Sequence, residues 1–220
     1  DDTMYLVSAA EVCGKDVVVT VGAANVKGIK QMDIAFSAAL IESASATTVQ
    51  WLQYVPGTRT FTVTLSGEWY DFDLDITPTG GDEALEDIFD GYFNNTAVAC
   101  VLGAVSTTKS IASTSCRVLD AKLTFPHDGI IGYSVTLEAN GAPGTFTQTS
   151  ADSVLAGIVT GFVNAAGVQS ATVLLMSATD AAQWTGTAYP ETLNISVPFD
   201  GPVTASVSYK GSGALVQDNS

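Results

Sequence analysis

The stretch R-T-F-T-V-T-L-S at residues 59–66 alternates polar and apolar side chains from Thr60 onward. A β-strand points successive side chains to opposite faces, so this stretch predicts a strand whose apolar face carries Phe61, Val63 and Leu65. Similar short runs, bounded by turn residues, recur at 16–21, 70–76, 117–125, 132–137, 193–197 and 204–209. Many short alternating runs predict a mainly β chain, folded as a sandwich or barrel.

Two segments follow a helical period instead, and each predicts a short helix flanking the β structure. In residues 82–93, apolar side chains recur three or four positions apart behind Asp82, a candidate N-cap, and Gly91 is the predicted end. Residues 152–163 repeat this spacing. The apolar positions are Leu85, Ile88, Phe89 and Tyr92 in the first segment and Leu155, Ile158, Val159 and Phe162 in the second.

The two predicted helices belong to an internal repeat. A shift of 70 positions places Asp82, Leu85, Ile88, Gly91, Asn94 and Val98 on Asp152, Leu155, Ile158, Gly161, Asn164 and Val168. A shift of 72 places Pro126, Asp128, Gly129, Ser134 and Val135 on Pro198, Asp200, Gly201, Ser206 and Val207. An ordered series of this length indicates a duplication. We therefore expect segments 62–142 and 134–214 to fold alike. One composite domain is predicted, with a β domain at 1–142 and a repeated helix-strand module at 143–220 packed on it.

Charge excludes a nucleic-acid-binding protein. The chain has 23 acidic and 8 basic residues, a formal net charge of −15, and its Lys and Arg residues are scattered. Phosphate recognition needs clustered cations. Residues 155–179 carry no charge and are long enough to cross a bilayer. The repeat nevertheless equates the start of this stretch with the acidic segment 82–93, so no membrane span is predicted.

Catalytic and metal-binding patterns are missing from the sequence. His127 is the only histidine, lies in a turn between Pro126 and Asp128, and no Gly-x-Ser-x-Gly elbow accompanies it. Cys13, Cys100 and Cys116 fit no metal-ligand spacing, so they are interpreted as buried apolar residues of a chain kept in a reducing compartment. The sequence predicts no enzyme, no metal site and no cofactor.

An acidic run at residues 71–75 places Asp71, Asp73 and Asp75 on one face of a predicted strand. Its start imitates a calcium-binding loop, but Ile76 stands where glycine is required and Asp82 where glutamate is required. Two interpretations remain open at this point. The carboxylates belong to an edge strand that faces solvent and discourages aggregation, or they have a specific use.

Residues 37–56 predict a long hairpin arm. Small residues at 43–48 separate two apolar ends, and aromatic side chains on a projecting arm are typical interface anchors. The alternative is a pair of ordinary core strands. The candidate contacts between subunits are Leu40, Ile41, Trp51, Leu52 and Tyr54.

Several of these motifs together resemble the major tail tube proteins of long-tailed bacteriophages. The motifs are W-L-Q-Y-V-P-G at 51–57, F-T-V-T-L-S-G at 61–67, the acidic strand, the short helix, and a Pro-x-Asp-Gly turn followed by Y-S-V-T-L. A second closing strand runs from 184–189 through 208–214, so the resemblance covers most of residues 17–215. The extra module of about seventy residues departs from the usual pattern.

The resemblance implies a tail-tube-type β-sandwich or barrel subunit. Rings of such subunits, six per ring, close an inner β-barrel and stack into a hollow tube through which the genome passes. Under this hypothesis Asp71, Asp73 and Asp75 face the channel, and DNA passes without specific binding because carboxylates repel it. The partners are other copies and other tail proteins, and the protein is assembled in the bacterial cytoplasm and resides in the virion. No leader is evident at residues 1–4, although one removed earlier would leave no trace. A secreted or cell-surface β-sandwich, such as an adhesin or carbohydrate-binding module, is the alternative.

Overall fold

A computed structural model describes residues 17–22, 24–43, 52–69, 83–104, 109–141, 146–148, 171–176 and 183–218. The elements are β1 (Val17–Val21), β2 (Ala24–Asn25), β3 (Ile29–Glu42), β4 (Tyr54–Trp69), α1 (Glu83–Asn94), β5 (Ala97–Ala104), β6 (Lys109–Thr124), β7 (Ile131–Ala139), β8 (Phe146–Gln148), β9 (Ala171–Met176), β10 (Gln183–Pro198) and β11 (Thr204–Asp218). The prediction of a mainly β chain is confirmed. The run at 70–76 and the second predicted helix at 152–163 lie outside the described residues.

The described strands form one antiparallel sheet in the order β11-β10-β3-β4-β7-β6-β5-β1-β2, with β8 added to β6 and β9 added to β10. β6 changes partner along its length, because residues 110–117 pair with β5 and residues 116–124 pair with β7. The β1–β2 end lies across the inner face of the sheet. Tyr133 Oη of β7 donates a hydrogen bond to the Lys27 carbonyl at 3.1 Å, and the Glu68 amide of β4 donates to the Gly28 carbonyl at 2.9 Å.

The core forms where this end and α1 cover the inner face. On each central strand every second side chain is buried, as period two requires. Burial of each such aliphatic or aromatic side chain stabilises the fold by roughly 1.5–3 kcal/mol. The buried set includes Val19 and Val21 of β1, Met32, Ile34 and Phe36 of β3, Phe61, Val63 and Leu65 of β4, Tyr133, Val135 and Leu137 of β7, and Leu193, Ile195 and Val197 of β10.

The helix predicted at 82–93 is confirmed as α1, but its predicted end is wrong. Leu85 and Ile88 are buried in the core, while the carboxylates of Glu86, Asp87 and Asp90 are exposed. Gly91 does not end the helix. A Cβ there would lie 2.7 Å from Val98 Cγ1, so glycine permits the helix to approach β5 closely. The helix ends at Asn94 because Asn95 adopts the left-handed conformation with φ of 51°.

The hairpins β6–β7 and β10–β11 share the same register at an offset of 72 residues. Thr124 pairs with Gly132 and Lys122 with Ser134, while Ser196 pairs with Thr204 and Asn194 with Ser206. Each hairpin also has an irregularity at the equivalent place, between Val118 and Asp120 and between Pro190 and Thr192. We propose that the two hairpins arose by duplication. The rest of the predicted repeat includes residues outside the described set, so the repeat as a whole stays a prediction.

Two of the three cysteines lie in the core, as the sequence predicted, whereas Cys13 lies outside the described residues. Cys100 of β5 and Cys116 of β6 are each 1 % exposed. A side-chain hydrogen bond that the protonated Cys100 thiol shares with Cys116, together with burial, raises the pKa of Cys100 far above its ordinary value. Burial likewise raises the pKa of Tyr133. Both groups are therefore neutral in the folded protein at neutral pH.

A Cys13→Ser variant should keep both core thiols unreactive toward a maleimide at pH 7.5 until guanidinium unfolds it. Folding raises the pKa values of Cys100 and Tyr133, so both groups stabilise the folded protein fully at pH values below their unfolded-state pKa values, 9.0 for the thiol and 10.0 for the phenol. This stabilisation is lost as pH rises above those values. The free energy of unfolding should thus fall as pH rises past 9 and 10. Rapid labelling of both thiols in the folded protein would contradict the burial described.

Candidate assembly surface

The outer side of six neighbouring strands is covered mostly by short hydroxyl side chains. Residues opposite each other in an antiparallel ladder point to the same face, so the pairing registers define continuous rows across β11, β10, β3, β4, β7 and β6. We call these rows the hydroxyl face. The first central row is Thr204, Ser196, Asp33, Thr64, Thr136 and Asp120, and the second is Ser206, Asn194, Ala35, Thr62, Glu138 and Arg117. The row beside the second consists of Ser208, Thr192, Ser37 and Thr60. The row beside the first consists of Pro198, Gln31, Ser66, Ser134 and Lys122.

Hydrogen bonds between strands hold many of these side chains against the sheet. The Ser37 and Thr60 hydroxyls are 2.6 Å apart, and those of Thr192 and Ser208 are also 2.6 Å apart. Asp33 is the acceptor for two neighbours. Ser196 Oγ donates to its Oδ1 at 2.5 Å, and Gln31 Nε2 donates to its Oδ2 at 2.7 Å. A face whose polar groups already pair with each other offers fewer of them to a ligand.

The charges on the hydroxyl face nearly cancel. Its rows contain three acidic residues, Asp33, Asp120 and Glu138, and two basic residues, Arg117 and Lys122. Arg117 lies directly opposite Glu138 in the ladder. A phosphate chain therefore meets no cluster of cations on this face. None of the residues in the four rows is aromatic, so the face has no platform on which a sugar ring could stack.

The channel-lining candidates Asp71, Asp73 and Asp75 lie outside the described residues, so their placement stays a prediction. Reasoning from sequence missed the hydroxyl face itself. The signal was present in the alternating runs, since Ser and Thr are the commonest residues at their polar positions. What the sequence did not contain was the lateral order that joins six such strands into one surface.

The predicted hairpin arm extends beyond the six-stranded region. Pairing of β3 with β10 stops at Ser37, whereas pairing of β3 with β4 continues to Glu42 and Tyr54. The tip at 44–51, with the candidate Trp51, lies outside the described residues. Of the other candidates, Ile41 and Leu52 are exposed and Leu40 is half-buried.

Tyr54 contacts its own chain. Its backbone amide donates to Ser212 Oγ at 3.1 Å, and Lys210 Nζ lies 4.4 Å from the centre of its ring. Val55, which was not among the candidates, is exposed and lies directly opposite Ile41. The base of the arm therefore exposes three apolar side chains, those of Ile41, Leu52 and Val55.

The opposite end of the strands also carries exposed apolar side chains, which we call the turn rim. Its members are Phe125 and Ile130, which flank the β6–β7 turn, and Phe199 in the β10–β11 turn, and all three are exposed. The Phe199 amide donates to the Lys30 carbonyl at 2.8 Å, which holds this turn beside the start of β3. The sheet thus has exposed apolar side chains at both ends of its strand direction.

Within the described ranges, His, Cys, Asp and Glu side chains form no group of three or more suited to a metal ion. The one helix described is too short to span a bilayer.

No protein-family model and no curated protein matches the chain. Among solved structures, a chain from the virion of a native gene transfer agent particle is 18 % identical with a TM-score of 0.49, and the match covers 61 % of this chain and 97 % of that chain. A chain from the tail of an empty gene transfer agent particle gives the same values. A chain from the tube-terminating cap of the anti-feeding prophage is 13 % identical with a TM-score of 0.44, over 62 % and 91 % of the two chains. At these values the similarities carry no argument about function.

Proposed function

We propose that this chain is a non-enzymatic structural protein of a phage-type tail, which assembles with copies of itself into stacked rings that form the tail tube. The single observation that carries the proposal is the hydroxyl face, a polar and nearly neutral surface that crosses six strands and is backed by the core. In a ring, this face lines the channel and α1 lies on the outside. The chain then resides in the virion after assembly in the host cytoplasm.

The chemistry of the hydroxyl face suits a conduit for DNA. Short side chains that pair with each other leave a smooth wall, and a wall without cation clusters does not retain phosphates. The net charge of −15 adds a repulsive field that keeps the polyanion from the wall. We retain the proposal that Asp71, Asp73 and Asp75 also face the channel, where they would strengthen this field.

The two apolar ends of the sheet suit stacking along the tube. The arm base at one end and the turn rim at the other end are different surfaces, so contact between them is heterologous. A heterologous contact along one axis does not close on itself and produces an open-ended stack. Further tail proteins would bind at the two terminal rings of such a stack.

The alternative of a cell-surface adhesin or carbohydrate-binding module is less well supported. Sugar recognition by a flat β face uses exposed aromatic rings beside hydrogen-bonding groups. The four rows of the hydroxyl face contain only the second component. Among the described residues, the exposed aromatic side chains of Phe125 and Phe199 instead lie at the turns, and those of Tyr92 and Phe93 lie on α1.

Ring size is a separate proposal, for which we take six copies from the family resemblance. Strands lie about 4.8 Å apart, so six copies with six lining strands each give a circumference of about 170 Å and a channel about 55 Å wide before strand tilt. Three copies give a channel about 28 Å wide. The two assemblies differ twofold in channel width, and a threefold ring would overturn the sixfold proposal.

Lysines placed on the hydroxyl face should make the tubes retain DNA. In the variant Thr64→Lys/Ser206→Lys each chain gains two positive charges on the channel wall, and every ring repeats the gain. Tubes assembled with short duplex DNA should then protect it from nuclease, and the protection should fall steeply with added salt. Replacing Asp71, Asp73 and Asp75 with Lys should have the same effect.

A matched control changes the same amount of charge elsewhere. Glu86→Gln/Asp90→Asn also adds two positive units per chain, but on the exposed side of α1. DNA attracted to the outer wall stays accessible, so this variant should give no nuclease protection. Equal protection by both variants would contradict the assignment of the hydroxyl face to the channel.

Loss of apolar contacts at the arm should abolish stacking without unfolding the chain. Trp51→Ala and Ile41→Ser/Val55→Ser should each fail to form long tubes, because removing an interface anchor typically costs about 2 kcal/mol and every stacked ring repeats the loss. Electron microscopy measures tube length and circular dichroism measures folding. Phe93→Ser, at an exposed site on α1, should form tubes of normal length. Normal tubes from Trp51→Ala, or its unfolding, would assign Trp51 to the core instead.

A further inference from the structure

Two strand edges of the six-stranded region have no neighbour among the described strands. β11 pairs with β10 on one side, and the described part of the chain supplies no strand on the other side of residues 204–210. In the C-terminal part of β6, residues 120–124 pair with β7 on one side, whereas the described pairing with β5 on the other side ends at Arg117. The edges lie at opposite ends of the six-strand order. Open edges of this kind present backbone groups that can pair with another strand.

The shared register of the β6–β7 and β10–β11 hairpins indicates where a further strand would pair at each edge. In β10, residues 192–198 have β3 as a second neighbour, and the equivalent residues of β6, at 120–126, are the ones without a described second strand. In β7, residues 131–138 have β4 as a second neighbour, and the equivalent residues of β11, at 203–210, lack one. The β10–β11 hairpin therefore has β3 at the position where β6 has no described neighbour, and the β6–β7 hairpin has β4 at the position where β11 has none described.

Strand direction allows the two open edges to supply each other. All pairings between neighbours in this region are antiparallel, and the region contains an even number of strands, so β11 and β6 run in opposite directions. A copy placed with its β11 beside β6 of the first copy continues the antiparallel alternation. Thr204 and Ser206 of one copy then lie near Asp120 and Lys122 of the other, and the hydroxyl face continues across the boundary.

We propose that residues 204–210 of β11 in one copy pair with residues 120–124 of β6 in the next copy. The contact joins two different edges, so it repeats head to tail and closes into a ring when the rotation per copy is suitable. This inference rests on the proposed assembly into rings and specifies the edges that join neighbouring copies. It leaves no open edge in the channel wall, which removes the site at which edge strands aggregate.

Cross-linking tests which edges meet. Ser206→Cys and Lys122→Cys replace exposed residues at the two edges, and both are made in a Cys13→Ser background, in which the remaining thiols are buried. The assembled double variant is treated with a short bismaleimide and analysed on a denaturing gel. A ladder of covalent multimers is expected from the double variant. Each single variant should stay monomeric, and a mixture of the two single variants should stop at dimers.

The other outcomes each contradict a different statement. Dimers from Ser206→Cys alone would show that β11 pairs with β11 of another copy, which overturns the inference. Rings visible by electron microscopy without a ladder would overturn the edge pairing but leave the proposed function standing. A double variant that is folded, by circular dichroism, and yet monomeric at every concentration, like its Cys13→Ser parent, would overturn both.

Discussion

One hydrophobic core holds this structure together: buried side chains of α1 and of the β1–β2 end meet the inward side chains of β3, β4 and β7 in a single cluster. Phe36 and Phe61 lie with ring centres 4.7 Å apart at one part of this cluster, and Tyr133 anchors the crossing segment at Lys27. Because successive side chains of a strand point to opposite faces, the residues buried on the inner face determine which residues form the hydroxyl face on the outside. A shift of one residue in any central strand would bury Thr and Ser and expose Val and Leu.

The same alternation explains why the hydroxyl face is polar. It does not explain why its polar side chains are mostly short and hydrogen-bonded to each other. A solvated sheet needs polar residues of any kind, and long charged side chains serve that need well. Here the polar positions are short and pair across strands, and the face carries three acidic and two basic residues in its four rows. These four rows present no cluster of cations to a phosphate chain and no aromatic ring to a sugar. Under the proposed function, this chemistry suits a surface past which DNA moves.

The parts of the fold that sequence predicted are those controlled by neighbouring residues. The strand at 59–66 and the helix at 82–93 were predicted because two-residue and 3.6-residue periods are local properties. The end of α1 was misplaced because Gly91 serves a tertiary contact with Val98, which local rules do not contain. Strand order, the change of partner along β6 and the two edges that have no neighbour among the described strands are likewise non-local. The shared register of the two hairpins had a local signal, the 72-residue offset, since equal turns impose equal pairing.

The proposed function requires that the hydroxyl face lines the channel of a tube built from this chain. A helical reconstruction of tubes assembled from the purified protein by electron cryo-microscopy tests this placement directly. Thr64, Thr136 and Ser196 are expected on the wall of the lumen, with α1 and Phe93 on the outer surface. A tube with α1 toward the lumen, or with the hydroxyl face buried against another copy, would contradict the proposed function.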